Sequence, residues 1–83
     1  MAQISLETTS KQSPEKVIQQ AKETFIEQYG LTLKEEADCC IRAEGGGGFI
    51  YIQAEPQDDK TKVVLEGREW SHQLQSFMKK ISA

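Results

Sequence analysis

With 83 residues and a formal net charge of −3, the chain has room for one modest core, and its sign opposes non-specific attraction to nucleic-acid phosphates or anionic lipid. Hydrophobic residues at 37% and charged residues at 28% exclude a disordered tail, and no stretch approaches the roughly 20 apolar residues of a membrane helix. Met1 to Leu6 lacks the basic start and apolar run of a secretory leader, so the expected setting is soluble, cytoplasmic and reducing.

The first element in the chain is a strand. Gln3 to Thr8 alternates, with Ile4, Leu6 and Thr8 on one side and Gln3, Ser5 and Glu7 on the other. After the polar connector Thr9 to Gln12 comes a helix start. Ser13 is placed to cap, Pro14 suits the first helical position, and Glu15 complements the positive end of the dipole. Val17, Ile18, Ala21, Phe25 and Tyr29 form one apolar stripe with Ile26 at its edge, and Gly30 stops a helix over 14–29.

From Leu31 the period becomes two. Leu31, Leu33, Ala37, Cys39, Ile41 and Ala43 form an apolar face opposed by Thr32, Lys34, Glu36, Asp38, Cys40, Arg42 and Glu44. Glu35 to Asp38 interrupts this series, where a bulge or a turn would split the strand. Gly45 to Gly48 turns the chain into a strand over 49–55, and Pro56 to Asp59 is a second turn. Lys60 to Arg68 alternates with Thr61, Val63, Leu65 and Gly67 inward. Trp70, Leu74, Phe77, Met78 and Ile81 share a helical face over 70–81, with Ser71 as cap and Lys79-Lys80 near the negative end. The expected fold is an α+β two-layer sandwich of order β-α-β-β-β-α, with an antiparallel sheet and both helices on one face, in a single domain over 1–83.

The start Ser13-Pro14-Glu15-Lys16-Val17 after the first strand, and Val63-Val64-Leu65 leading to Trp70, give an order similar to a cut-down helix-grip fold. That is the plan of the START and polyketide-cyclase-like superfamily, whose members usually have more strands than are read here. The resemblance implies a small apolar ligand held between sheet and C-terminal helix. Trp70, Leu74 and Phe77 would line such a site with the inward strand residues.

The chief functional signal is on the other face of the sheet. If Ile50, Ile52 and Ala54 point inward, Phe49 and Tyr51 point outward. A four-residue glycine loop sets Glu44 against Phe49, Arg42 against Tyr51 and Cys40 against Gln53. A two-residue loop at Gly45-Gly46 sets Arg42 against Phe49 and Cys40 against Tyr51. Either brings Arg42 near an aromatic ring, and Val64 extends the patch, with Glu7, Lys34, Glu36, Lys62, Glu66 and Arg68 around it. An apolar centre with a mixed-charge rim is the composition of a protein–protein interface, so a homodimer or another protein partner is expected, and the alternative is that the two rings merely shield the sheet.

Other chemistries have little support. The glycine run precedes a strand and lacks the Lys-Ser/Thr of a phosphate loop; its excess of glycine would let a partner's backbone approach. Gly48 to Ile52 loosely matches an RNA-binding strand, but the element order and acidity oppose a nucleic-acid role. Two adjacent cysteines and one histidine fall short of a structural zinc site; Cys39 is expected in the core and Cys40 on the opposite face. His72 has no nucleophile assigned to it, and the acidic residues read as solvated edges and turns. The expectation is a non-catalytic domain without metal, cofactor or membrane contact.

Overall fold

A computed structural model describes residues 3–82 of the chain. Five strands run as β1 (Gln3–Ser10), β2 (Thr32–Ala37), β3 (Cys40–Gly45), β4 (Gly48–Gln57) and β5 (Lys60–Arg68). The helices are α1 (Pro14–Lys22), which continues as a π-helical segment over Glu23–Gln28, and α2 (Ser71–Ile81). The strands form one antiparallel sheet in the order β1-β5-β4-β3-β2. Both helices bury their apolar stripes on one of its faces, as the α+β reading requires.

Helix α1 begins as its sequence dictates. The Ser13 hydroxyl accepts a bond from the Lys16 N–H at 3.3 Å, and Pro14 takes a first-turn position where its missing N–H costs nothing. Val17, Ile18, Ala21 and Phe25 are buried. The wider π turn then carries the stripe out of phase, and Tyr29 ends 39% exposed rather than in the core. Gly30, at φ +78°, closes the segment, and the Leu31 N–H reaches back to the Phe25 carbonyl at 2.9 Å. On α2, Trp70 holds the cap position expected of Ser71, without a side-chain cap bond.

The long alternating stretch after Gly30 contains both irregularities that its acidic interruption suggested. Register shifts between Leu33 and Glu35, leaving Lys34 as the extra residue of a bulge, and the Asp38-Cys39 turn folds the stretch into the β2–β3 hairpin. The second strand of the expected order is thereby doubled. Beyond the bulge the faces are inverted. Glu36 pairs with Ile41 and turns toward the helices, where it meets Lys22, while exposed Ala37 pairs with Cys40 on the opposite face. Cys39 consequently lies half-buried in the turn and not in the core, whereas Cys40 takes the expected opposite face.

Strand β4 runs through Pro56, so the turn there is confined to Asp58-Asp59. The Ala54 N–H bonds the Cys39 carbonyl at 2.7 Å, which fixes the even residues of β4 as those facing β3. Pro56 lies beyond the end of β3, so its missing donor faces an unpaired edge. At the far end of the sheet, buried Ser10 accepts a bond from the Gln12 N–H, and the Thr61 hydroxyl donates to the Gln12 carbonyl at 2.6 Å. The connector into α1 is thus tied to β5.

The β5–α2 link holds Glu69 at φ +71°, a left-handed conformation in which a side chain is strained. Glu69→Gly is expected to raise stability by about 0.5–1 kcal/mol, as the relieved strain outweighs the added freedom of the unfolded chain. A higher urea midpoint at unchanged slope is the readout.

Candidate interaction face

The sheet face turned away from the helices is centred on β3, β4 and β5, with β1 and β2 at its margins. The β3–β4 hairpin uses the register Glu44–Phe49, Arg42–Tyr51 and Cys40–Gln53, with Gly45 and Gly48 themselves paired and only Gly46-Gly47 in the turn. Gly46 and Gly47 sit at φ +59° and +83°, which matches the strand twist in a two-residue hairpin. The flanking glycines answer to a different demand. A Cβ on Gly48 would lie 1.9 Å from the Arg68 carbonyl oxygen and 2.7 Å from the Glu69 Cβ. One on Gly45 would lie 3.3 Å from the Leu31 Cγ. The close approach that the glycine run permits is therefore made by the chain's own backbone.

Trp70 completes this corner. Its indole N–H donates to the Gly45 carbonyl at 2.9 Å, its ring lies where a Cβ on Gly46 would come within 3.1 Å, and Tyr29 packs on it with ring centroids 5.8 Å apart. Sequence reasoning missed the pairing of Trp70 with the glycine turn. A tryptophan needs a partner for its N–H when it is partly buried, and the excess of glycine marked a close approach, but nothing in the sequence joined the two signals.

Phe49, Tyr51, Arg42 and Val64 all lie half-buried on the open face. Arg42 stands across from Tyr51, yet its guanidinium carbon sits 4.7 Å from the centre of the diagonal Phe49 ring, a cation–π contact contributing about 0.5–1 kcal/mol. The Glu44 carboxylate lies 3.8 Å from the Arg42 Nε. Tyr51 points along β4, donating to the Gln53 side-chain amide oxygen Oε1, and the Gln53 amide nitrogen in turn donates to the Glu55 carboxylate. Burial, reinforced by the Cys40 thiol and the Glu66 carboxylate, raises the Tyr51 phenol above its ordinary 10.0. Glu66 pairs with Tyr51 and Glu7 with Val64, and Lys62 reaches Glu7 at 3.7 Å. Glu36 is absent from this rim for the reason given above.

An open cleft of about 480 Å³ indents the end of this face beside the glycine turn, lined by Lys34, Arg42, Arg68, Glu44, Thr32 and Phe49 among others. Cations outnumber carboxylates there on a chain that is acidic as a whole. Among the described residues no group of three or more His, Cys, Asp or Glu is placed to hold a metal ion, and His72 is exposed at the start of α2.

The helix-grip reading reserved the space under α2 for an apolar ligand. In this structure that space is filled. Leu74 is 0% and Phe77 2% exposed, and Phe77 packs edge-on against Phe25 with centroids 5.7 Å apart. Gly67 lets the helix descend directly onto the sheet, since a Cβ there would lie 2.6 Å from the Leu74 Cδ1 and 2.7 Å from the Phe49 carbonyl oxygen. Trp70 is turned to the glycine corner rather than into a ligand chamber.

No protein-family model matches the chain, and no curated protein matches it. Among solved structures, the solution structure of the Aha1 dimer from Colwellia psychrerythraea is similar, with a TM-score of 0.66 over 96% of this chain and 92% of that one. Identity is 14%, so the likeness is one of fold, and it supports the helix-grip-like plan.

Gly48 and Gly47 separate the two demands on the turn. Gly48→Ala forces apart backbone at the β5–α2 junction and should cost about 3 kcal/mol, whereas Gly47→Ala, with open space around it, should cost only the left-handed strain of about 1 kcal/mol. Paired chemical denaturation curves give the comparison. A folded-state phenol above 10.0 favours the protonated form, so its contribution is complete below that pH and declines as pH rises through the higher folded value. The stability difference between wild type and Tyr51→Phe should thus be flat to about pH 9 and fall beyond 10.0. A flat difference up to pH 11.5 would contradict it.

Proposed function

We propose that the chain is a non-catalytic interaction domain that self-associates through its open sheet face. The observation that carries this reading is the half-exposed strip of Phe49, Tyr51 and Val64 on a face that neither helix covers, held in place by Arg42. Strand geometry sets these side chains without a loop to order, so little entropy is lost when they are covered. The rim of Lys34, Arg42 and Arg68 beside Glu44, Glu66 and Glu7 suits a second copy, because charges of both signs on one face allow a two-fold contact to pair each with its opposite. The neighbouring fold from Colwellia psychrerythraea was itself solved as a dimer, which supports self-association as a property of this architecture. Kinship with START or polyketide-cyclase-like proteins would on this reading be one of plan rather than of ligand binding, given the filled space beneath α2.

Exchanging Phe49 and Tyr51 together for Ser should weaken self-association, because the apolar centre of the contact is removed while the charged rim stays. Light scattering on a sizing column across a concentration series should then return a lower mean molar mass than wild type at equal concentration. An unchanged mass profile for the doubly substituted protein would refute the open face as the contact.

A further inference from the structure

The two edges of the sheet are guarded unequally. Strand β2 carries a bulge at Lys34 and the charges of Lys34, Glu35 and Glu36, devices that oppose pairing with another strand. Strand β1 has neither. All eight of its residues pair regularly with β5, it contains no proline or lysine, and its one charge, Glu7, is engaged by Lys62 of the adjacent strand at 3.7 Å.

The direction of its free hydrogen-bonding groups follows from the hairpin turns. Gln57 and Lys60 flank the two-residue Asp58-Asp59 turn and so form a hydrogen-bonded pair, which makes the pairs from Glu55–Lys62 to Phe49–Arg68 hydrogen-bonded in step. The Ala54-to-Cys39 bond, on the opposite side of β4, has the matching phase. Thr61, Val63, Leu65 and Gly67 of β5 therefore bond toward β1, to Ser10, Thr8, Leu6 and Ile4. Among the described residues, what remains along the outer edge of β1 is the N–H and C=O of Gln3, Ser5, Glu7 and Thr9, the Thr9 carbonyl receiving only a long bond of 3.5 Å from the Thr8 hydroxyl.

We infer that this edge pairs antiparallel with β1 of a second copy, about a two-fold axis at Leu6, joining two five-stranded sheets into one of ten. This contact is separate from the open-face contact proposed above and does not depend on it. The register is selective. Centred on Leu6, Ser5 faces the partner's Glu7 and Gln3 faces the partner's Thr9, each pair exchanging two backbone hydrogen bonds, with no like charges opposed. A shift to Glu7 as centre sets it against the partner's Glu7, and a shift to Ser5 as centre carries Thr9 past the described residues of the partner's strand. A one-residue slip would set Leu6 against Glu7 and mix the two faces. On the helix side the same axis sets Leu6 against the partner's Leu6, with Ile4 diagonal to it and across from the partner's Thr8; Ile4 and Leu6 are apolar side chains left only partly buried at the margin of the core. Because the axis is normal to the sheet, both pairs of helices stay on one side and both open faces on the other.

Ser5→Pro tests the contact with little effect inside the chain, since the donor it removes points outward and edge strands accept proline. The substitution is made in the Phe49→Ser/Tyr51→Ser protein, where the open face no longer contributes. That parent should scatter as twice the 9.4 kDa chain, with slow amide exchange at Ser5, Glu7 and Thr9. Adding Ser5→Pro should raise the dissociation constant on the order of 100-fold or more and free Glu7 and Thr9 to exchange, while the amides of Leu6 and Thr8 stay protected as a sign that β1 is still docked. Ser5→Ala should leave the pair intact. A monomeric parent with fast exchange at Glu7 and Thr9 overturns the edge contact and leaves the open face as the interface. A parent as dimeric as wild type that Ser5→Pro dissociates sinks the open-face reading and keeps this one. A dimer insensitive to Ser5→Pro, with fast amides along β1, overturns the edge contact as well.

Discussion

The passage of the Arg68–Glu69 backbone over Gly48 is the constraint on which the rest of the structure turns. It brings the end of β5 against the β3–β4 turn and sends the chain back across the sheet as α2. The indole bond from Trp70 to Gly45 fixes that reversal from the other side. With the direction of α2 set, Leu74 lands on Gly67 and Phe77 on Phe25, and the space between α2 and the sheet is closed by side chains. A backbone crossing that only glycine tolerates thus sets the packing of the helical side and leaves the opposite side uncovered by either helix.

That opposite side is ordered before anything binds it. Arg42 contacts Phe49 and Glu44, Tyr51 is lined up with Gln53 and Glu55, and Lys62 bridges toward Glu7. Exposed ion pairs of this kind add little to stability, but they restrict where long side chains sit. Burial, the Cys40 side chain and the Glu66 carboxylate together hold the Tyr51 phenol above its ordinary 10.0. Recognition by such a face would rely on fixed shape and alternating charge more than on a deep pocket, which matches the open form of the cleft beside the turn.

Much of the fold could be read from local patterns. The Ser13-Pro14 start, the inward alternation of Ile50, Ile52 and Ala54, the inward set Thr61 to Gly67 and the closing helix all follow from periodicity and capping, and all appear in place. The outward direction of Phe49 and Tyr51 followed from the same alternation. What escaped was non-local or cumulative. A single extra residue at Lys34 inverted the faces of Glu36 and Ala37, because strand alternation carries any slip forward to the next turn. A π turn rotated Tyr29 out of the core, since the stripe was counted at 3.6 residues per turn throughout. Pro56 looked like a strand breaker because its tolerance depends on where β3 ends, which the local sequence does not contain. The pairing of Trp70 with the glycine turn was hidden for the same reason: its partners are 25 residues away.

The strand order also bears on how the molecule assembles in time. Strands β2 to β5 are successive hairpins, each closed by a short turn, whereas β1 pairs with β5 across most of the chain, Ile4 against Gly67. Loop-closure entropy favours the meander first and leaves β1 to dock late. Until it does, the outer edge of β5 is bare, with the N–H and C=O groups of Thr61, Val63, Leu65 and Gly67 unanswered. A β1 from a neighbouring chain offers those groups the same sequence as the native strand, so during refolding at high concentration the correct intramolecular closure competes with an exchange of first strands between copies.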